Sequence, residues 1–395
     1  MFDQQGTPEV NHSRNITFQG TGSGYFGVCI VNFLLTLVTF GIFAPWAYVR
    51  CKRYIYSNTE LSGSRFSYNV KGGSLFISWL CLFVFFGALE FSIIKQSSPL
   101  SFCLLAILIL FMPYLVIQSL RYQLQSTTLN NVRFNFNASG FKAWWVMMGA
   151  PLLMLAGVLL ICSMIVYTAS SASLFEMERI VITIVIAMIV GILGFGAVQG
   201  VAVGMWLNLL FNGLSFGTQK FAATVSVKKC VMFSIIGMLL LTPFLLLVLK
   251  LIAPTIVHVV LSGGMMSPDE LASVQGTILI CYLIYLFGLI VSFSYLYVMM
   301  RNYYYKHVLL SEKIAFRSTL TLAGFVGQLV INGLITFCTF GIAYPWARIR
   351  YCRYLAKNTW VDGDLDDLEL QDHDDKIATD VVSRISRGLV PNLNL

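Results

Sequence analysis

Residues Thr39–Thr59 recur as Thr339–Thr359, at an offset of 300 and with 12 of 21 positions identical. Gly41, Pro45, Trp46, Arg50, Arg53 and Asn58 return as Gly341, Pro345, Trp346, Arg350, Arg353 and Asn358. Self-similarity of this kind constrains the fold before any single residue does. Each copy interrupts a hydrophobic run with Gly-Ile-x-x-Pro-Trp and then loads the next helix with arginines. The first apolar arm, Tyr25–Phe40, reaches only about 24 Å at 1.5 Å per residue, short of a hydrocarbon core of about 30 Å. Each copy therefore reads as a broken hairpin that enters a membrane and returns to the face it came from, with Gly41 and Gly341 at the break. Pro45 and Pro345 open the returning helix, in whose first turn a proline costs no hydrogen bond.

The segments between the copies fit that reading. The chain is 57% hydrophobic and 11% charged, whereas soluble domains carry about 25% charged residues. Leu75–Ile94, Leu100–Leu120, Ala143–Tyr167, Ile180–Leu210, Val231–Leu261 and Gly276–Met300 are each long enough to cross a bilayer. Gly196, Gly200 and Gly204 in the fourth of these mark a helix-packing seam. Short strand patterns stand before the spans: Ile16–Phe18, Leu61–Tyr68, Leu129–Phe136, Lys220-Phe221 and Ile314–Arg317. Gly20, Gly22 and Gly24 read as a strand-to-helix turn, because the full phosphate-loop pattern is missing.

The predicted fold is an all-α polytopic membrane protein. Three full transmembrane hairpins are flanked by two pseudo-symmetric broken or re-entrant hairpins, with short cytoplasmic β-strands. A polar segment, 1–15, precedes one membrane domain, 16–360. That domain divides into hairpin units 16–60, 61–128, 129–213, 214–312 and 313–360. An acidic tail, 361–395, follows, and within it Ile377–Leu389 reads as a short amphipathic helix on the bilayer. With both termini cytoplasmic, every lysine and arginine except Lys95, Arg179 and Lys250 falls on the cytoplasmic side, as the positive-inside rule requires. Had the terminal segments spanned fully, Arg348, Arg350, Arg353 and Lys357 would lie outside. The formal net charge of +8 therefore speaks for topology and lipid head groups, not nucleic acid.

The duplicated Thr-Phe-Gly-Ile-x-x-Pro-Trp-Ala element, the Arg65-Phe66-Ser67-Tyr68 strand and Gly-Asp-Leu-Asp-Asp-Leu at 363–368 together resemble the YjgN family of bacterial inner-membrane proteins. The resemblance covers essentially the whole chain. It implies a multi-pass protein of the bacterial inner membrane and supplies no catalytic or binding residues.

No catalytic constellation is visible, and no cofactor is expected. The nine cysteines include no Cys-x-x-Cys. His12, His258, His307 and His373 stand at no metal-ligand spacing, so no metal site is expected either. Glu90 and Lys250 are ionisable groups inside apolar runs, candidates for a gate or a proton-coupled pair against a plain reading as interfacial side chains. Arg50 and Arg53 share a helix face, and Arg350 and Arg353 copy them. With Arg121 and Arg301 they form a candidate basic cytoplasmic rim for the phosphate of an anionic lipid or amphiphile, since guanidinium forks match phosphate oxygens. Positive-inside anchoring, with Trp46, Trp346, Tyr54 and Tyr354 as aromatic belts, is the plainer reading. Two functions follow: binding or transport of an anionic lipid, or a non-transporting scaffold whose strands and acidic tail hold a protein partner.

Overall fold

The computed structural model describes residues 13–95, 98–170, 177–261, 267–363, 371–372 and 381–387. The polar segment 1–12 and most of the acidic run (Asp364, Asp366, Asp367, Glu369, Asp374 and Asp375) lie outside these residues.

Helices come in pairs. α1 (Gly22–Val38) and α2 (Ala44–Ser57) form the first pair, α3 (Gly72–Ile94) and α4 (Ser98–Gln125) the second. The third is α5 (Gly140–Trp144), a π-turn over Trp145–Gly149 and α6 (Ala150–Ser170), answered by α7 (Met177–Gly213). α8 (Val227–Leu261) and α9 (Pro268–Tyr305) follow, then α10 (Leu322–Cys338) and α11 (Tyr344–Lys357). Among the described residues, six stretches are long and apolar enough to cross a membrane: α3, α4, Gly140–Tyr167 and the long helices α7, α8 and α9. The protein is a polytopic membrane protein. α1 and α10 are shorter, at 17 residues each.

Between pairs lie β-hairpins: β3 (Thr59–Leu61) with β4 (Ser64–Tyr68), β5 (Thr127–Leu129) with β6 (Val132–Phe136), β7 (Leu214–Phe216) with β8 (Gln219–Ala223), and β9 (Val308–Leu310) with β10 (Ile314–Ser318). Ser62-Gly63 and Asn130-Asn131 form two-residue tips, and Ser311-Glu312 open a three-residue tip, all with positive φ, the twist that tight hairpin turns impose. The chain ends supply β1 (Ser13–Asn15), β2 (Thr17–Phe18) and β11 (Thr359–Asp362).

Here the structure departs from the all-α expectation. All eleven strands join one antiparallel sheet, with β1 at one end of the order and β2 at the other. β1 pairs with β11 and β2 pairs with β3, yet Ile16 alone separates β1 from β2. The two ends of the sheet are therefore one continuous stretch of chain, and the sheet is a closed barrel of ten staves. Closure removes both edges, which would otherwise offer unpaired backbone to other chains. Side chains alternate accordingly. Phe66, Leu129, Phe134, Phe216, Phe221, Leu310, Phe316 and Val361 face inward. The outer face carries polar residues, among them the Arg65–Glu60 pair at 3.8 Å and the Arg317–Asp362 pair at 3.7 Å.

The helices close as well. α1 packs on α2 and on α11, α2 on α3, and the series continues through α9 on α10 and α10 on α11. The duplicated tryptophans make the same joint twice. A Cβ on Gly72, the first residue of α3, would meet Trp46 at 2.4 Å; one on Gly22, the first residue of α1, would meet Trp346 at 2.2 Å. Around the ring, then, α11 stands to α1 as α2 stands to α3. Tyr54 is half-buried, its hydroxyl donating to the Thr21 carbonyl at 3.1 Å. Gly200 lets α8 approach α7 so closely that a Cβ there would stand 2.4 Å from the Val231 Cα.

The last helix, α12 (Val381–Ser386), packs against α3 and α4; residues 377–380 and 388–389 of the expected helix Ile377–Leu389 lie outside the described residues. The Ser78 hydroxyl donates to the Ile385 carbonyl, and the Arg387 guanidinium lies 4.5 Å from the Tyr122 ring centroid. Asp372 meets Arg133 at 3.4 Å.

Candidate anion-binding chamber

The six arginines of the expected rim make different contacts. Three are bound to main chain. Arg53 donates to the carbonyls of Tyr68 and Val70 at 3.3 and 3.2 Å. Arg121 donates to the Phe136 carbonyl at 3.0 Å, and Arg353 to the Gly20 carbonyl at 3.0 Å. Each stands six residues before the strand that follows its helix, and reaches the strand-to-helix joint of the next unit. In the two remaining units asparagine does this work from the same position: Asn208 on Val225 and Asn302 on Leu320, both at 2.8 Å. Asn208 also accepts from the Val225 amide at 3.1 Å. These contacts fasten helix ring to barrel all the way round. The two asparagines escape a search for arginine; the shared six-residue spacing is the signal that finds them.

Arg50 and Arg350 are exposed, and Arg50 lies over the Phe43 ring at 5.2 Å. Glu90 and Lys250 are also exposed, on α3 and α8. These helices pack on different neighbours, and the two side chains form no ion pair with each other among the described residues.

Arg301 alone of the six points into the centre. It is 2% exposed and lines a chamber of about 400 Å³, bounded by α1, α2, α4, α9 and α11 above and by the barrel mouth below. Lys52 and Arg348 line the same chamber, and no aspartate or glutamate does among the described residues. The Arg301 fork donates to the hydroxyls of Tyr297, Tyr305 and Thr359 at 2.9, 3.1 and 3.0 Å, and stacks 4.7 Å from the Tyr305 ring centroid. Its Nε–H is buried without a partner, although guanidinium offers five donors and a buried orphan is costly.

Lys52, 8% exposed, donates to Gln123 Oε1 at 3.1 Å and lies over the rings of Tyr48 and Tyr68 at 5.2 and 5.7 Å. Among the described residues these partners are neutral. Burial, reinforced by the like charge of Arg348, pushes its ammonium from the usual 10.5 down to about 8. Buried cations ordinarily have anionic partners, and no described carboxylate lines this chamber. Lys52 and Arg348 count in the sequence only as charges that set topology, because each sits beside a more conspicuous arginine in the duplicated block.

The family described as bacterial protein of unknown function (DUF898) matches residues 13–382. The inner membrane protein YjgN of Salmonella typhimurium is 36% identical over 387 residues, 96% of each chain. The proteins of the same name from Escherichia coli O157:H7 and strain K12 are each 36% identical over 391 residues, again 96% of both chains. No solved structure matches. A relative of this identity over nearly the full length, six helices fit to cross a bilayer and a family match over most of the chain agree: the chain belongs to the DUF898 family, as a multi-pass inner-membrane protein.

Proposed function

We propose that this protein binds the charged group of an anionic lipid or amphiphile in the chamber, at the cytoplasmic level of the inner membrane. One observation carries the reading: two buried cations, Lys52 and Arg301, held by neutral partners in a cavity that no described carboxylate lines. The ligand class follows from the site's chemistry. Guanidinium presents a fork to phosphate or carboxylate, and an ammonium adds a mobile point charge.

In this reading α1–α2 and α10–α11 dip into the bilayer and return, leaving both termini and the barrel in the cytoplasm. The break geometry supports a lipid setting. Phe40 and Phe340, at the tips, are 97% and 96% exposed. The backbone there is closed internally, as hydrocarbon requires: the Phe43 and Ala343 amides donate to Thr39 and Thr339 Oγ1 at 3.0 and 3.1 Å, and the Gly41 and Gly341 amides to Thr36 and Thr336 carbonyls at 2.8 Å. Phe40-Gly41 and Phe340-Gly341 take positive φ together, and glycine makes the second of these turns inexpensive.

A scaffold built on a free acidic tail fits less well. Asp372 is paired with Arg133, and α12 is packed against the helices. Mass spectrometry of lipid retained by the protein purified in nonionic detergent tests the proposal. Wild type is expected to retain an anionic amphiphile and the Lys52→Met, Arg301→Gln double variant to lose it. Equal retention of anionic and zwitterionic lipid by both proteins, with both folded, would overturn it.

A further inference from the structure

The chamber has an unusual floor. Eight strands close a barrel whose side chains just fill it, and more strands leave room. Here ten staves surround a lumen of about 150 Å³ that remains after five phenylalanines have entered it. Its walls are largely phenyl rings: Phe66, Phe134 and Phe216 stack in series at centroid distances of 6.3 and 4.6 Å, and Phe221 stacks on Phe316 at 5.9 Å. Ile16, Phe66, Phe134 and Thr359 line both the lumen and the cationic chamber, so the two spaces adjoin. Arg301 stands at the junction, bonded to Thr359 Oγ1 at 3.0 Å, with its Nε–H unpartnered. An apolar cavity of about 150 Å³ stays dry and accepts a benzene-sized guest.

We infer that the two spaces are one site for a compact amphipathic anion: a single phosphate or carboxylate held by Arg301 and Lys52, on one six-membered apolar ring that enters the barrel. This deepens the proposed function and rests on it. It also narrows it, because a two-chain phospholipid would place only polar head-group atoms against the phenylalanines. The ligand enters the barrel ring first, and its charge stops where apolar wall gives way to guanidinium.

Calorimetric titration of the full-length protein in nonionic detergent tests this, with phenyl phosphate against methyl phosphate and benzoate against acetate. A ring that fills the lumen is expected to tighten binding at least tenfold in one of the two pairs. Leu310→Phe, which narrows the lumen, is expected to abolish that gain while leaving inorganic phosphate affinity unchanged; that unchanged affinity also shows the variant is folded. Should Leu310→Phe lose phosphate affinity too, the milder Val361→Leu replaces it under the same criterion. Equal affinity within both pairs, or a ring gain untouched by the lumen variant that keeps phosphate affinity, would overturn the inference and leave the proposed function standing. Failure of every anion to bind folded wild type would overturn both.

Discussion

Replacing Lys52 with methionine should stabilise the ligand-free protein at neutral pH and destabilise it at high pH. Lys52 lies on α2, which is not one of the six spanning stretches. Its ammonium titrates near 8 in the fold against 10.5 ordinarily, so the folded state binds fewer protons than the unfolded one between those values. Stability therefore rises with pH across that window. Below it the fold carries the full cost of a buried charge, about 3 kcal/mol at 1.36 kcal/mol per tenfold. Methionine removes that cost but leaves Gln123 Oε1 without its donor, a loss of about 1–3 kcal/mol. The net at pH 7 is a gain of about 1 kcal/mol; above pH 10, where the wild-type amine is neutral, only the loss remains. The swing of about 3 kcal/mol corresponds to about 4 °C in apparent Tm, using ~2.1 cal/mol/K per residue for a cooperative unit of this length. Thermal unfolding of both proteins in detergent, from pH 6.5 to 10.5, reads it directly. A difference between variant and wild type that is independent of pH would show that Lys52 is not held at a cost, and the argument for a missing anion would lose its strongest support.

Other outcomes follow from particular contacts. Asn208→Ala removes both hydrogen bonds to Val225 and is expected to cost about 2 kcal/mol, seen as a lowered apparent Tm; an unchanged Tm would remove the joint from the account of the ring. Gly200→Ala drives a methyl into the Val231 backbone and should cost at least the roughly 1–3 kcal/mol of an overpacked core, whereas the same change at Gly157, where a Cβ meets nothing within 4 Å, should be near neutral in the same assay. Single cysteines at Phe40 and Phe340 in a cysteine-free background should resist a membrane-impermeant maleimide from either face of the membrane; labelling from the periplasm would refute the dipping hairpins. A reporter joined to either terminus should be active only in the cytoplasm.

The helices were legible because hydrophobic runs of this length are self-announcing, and only their ends moved. α9, for instance, runs to Tyr305 beyond the expected Met300 because Arg301 finds tyrosine hydroxyls and Thr359 inside the protein. The barrel was not legible. Each strand is five residues or fewer, too short for alternation to identify its neighbours. The closing pair joins Ser13 to Asp362, almost the whole chain apart. Of the rim arginines, the spacing gave the common position of Arg53, Arg121 and Arg353, but spacing cannot distinguish a guanidinium facing lipid phosphate from one facing a carbonyl. The chamber stayed hidden for a related reason. Lys52, Arg301 and Arg348 converge only once the helix ring closes, and nothing in a linear pattern records which side chains will line one cavity.

The most direct measurement is an experimental density map of the protein in lipid nanodiscs, read at the chamber. Non-protein density within hydrogen-bonding distance of Lys52 Nζ and Arg301 Nε is expected, continuing as a planar feature toward Phe134 and Phe216. A protein carboxylate paired with either cation, or a chamber closed by side-chain packing with no room for an anion, would contradict the account at its centre.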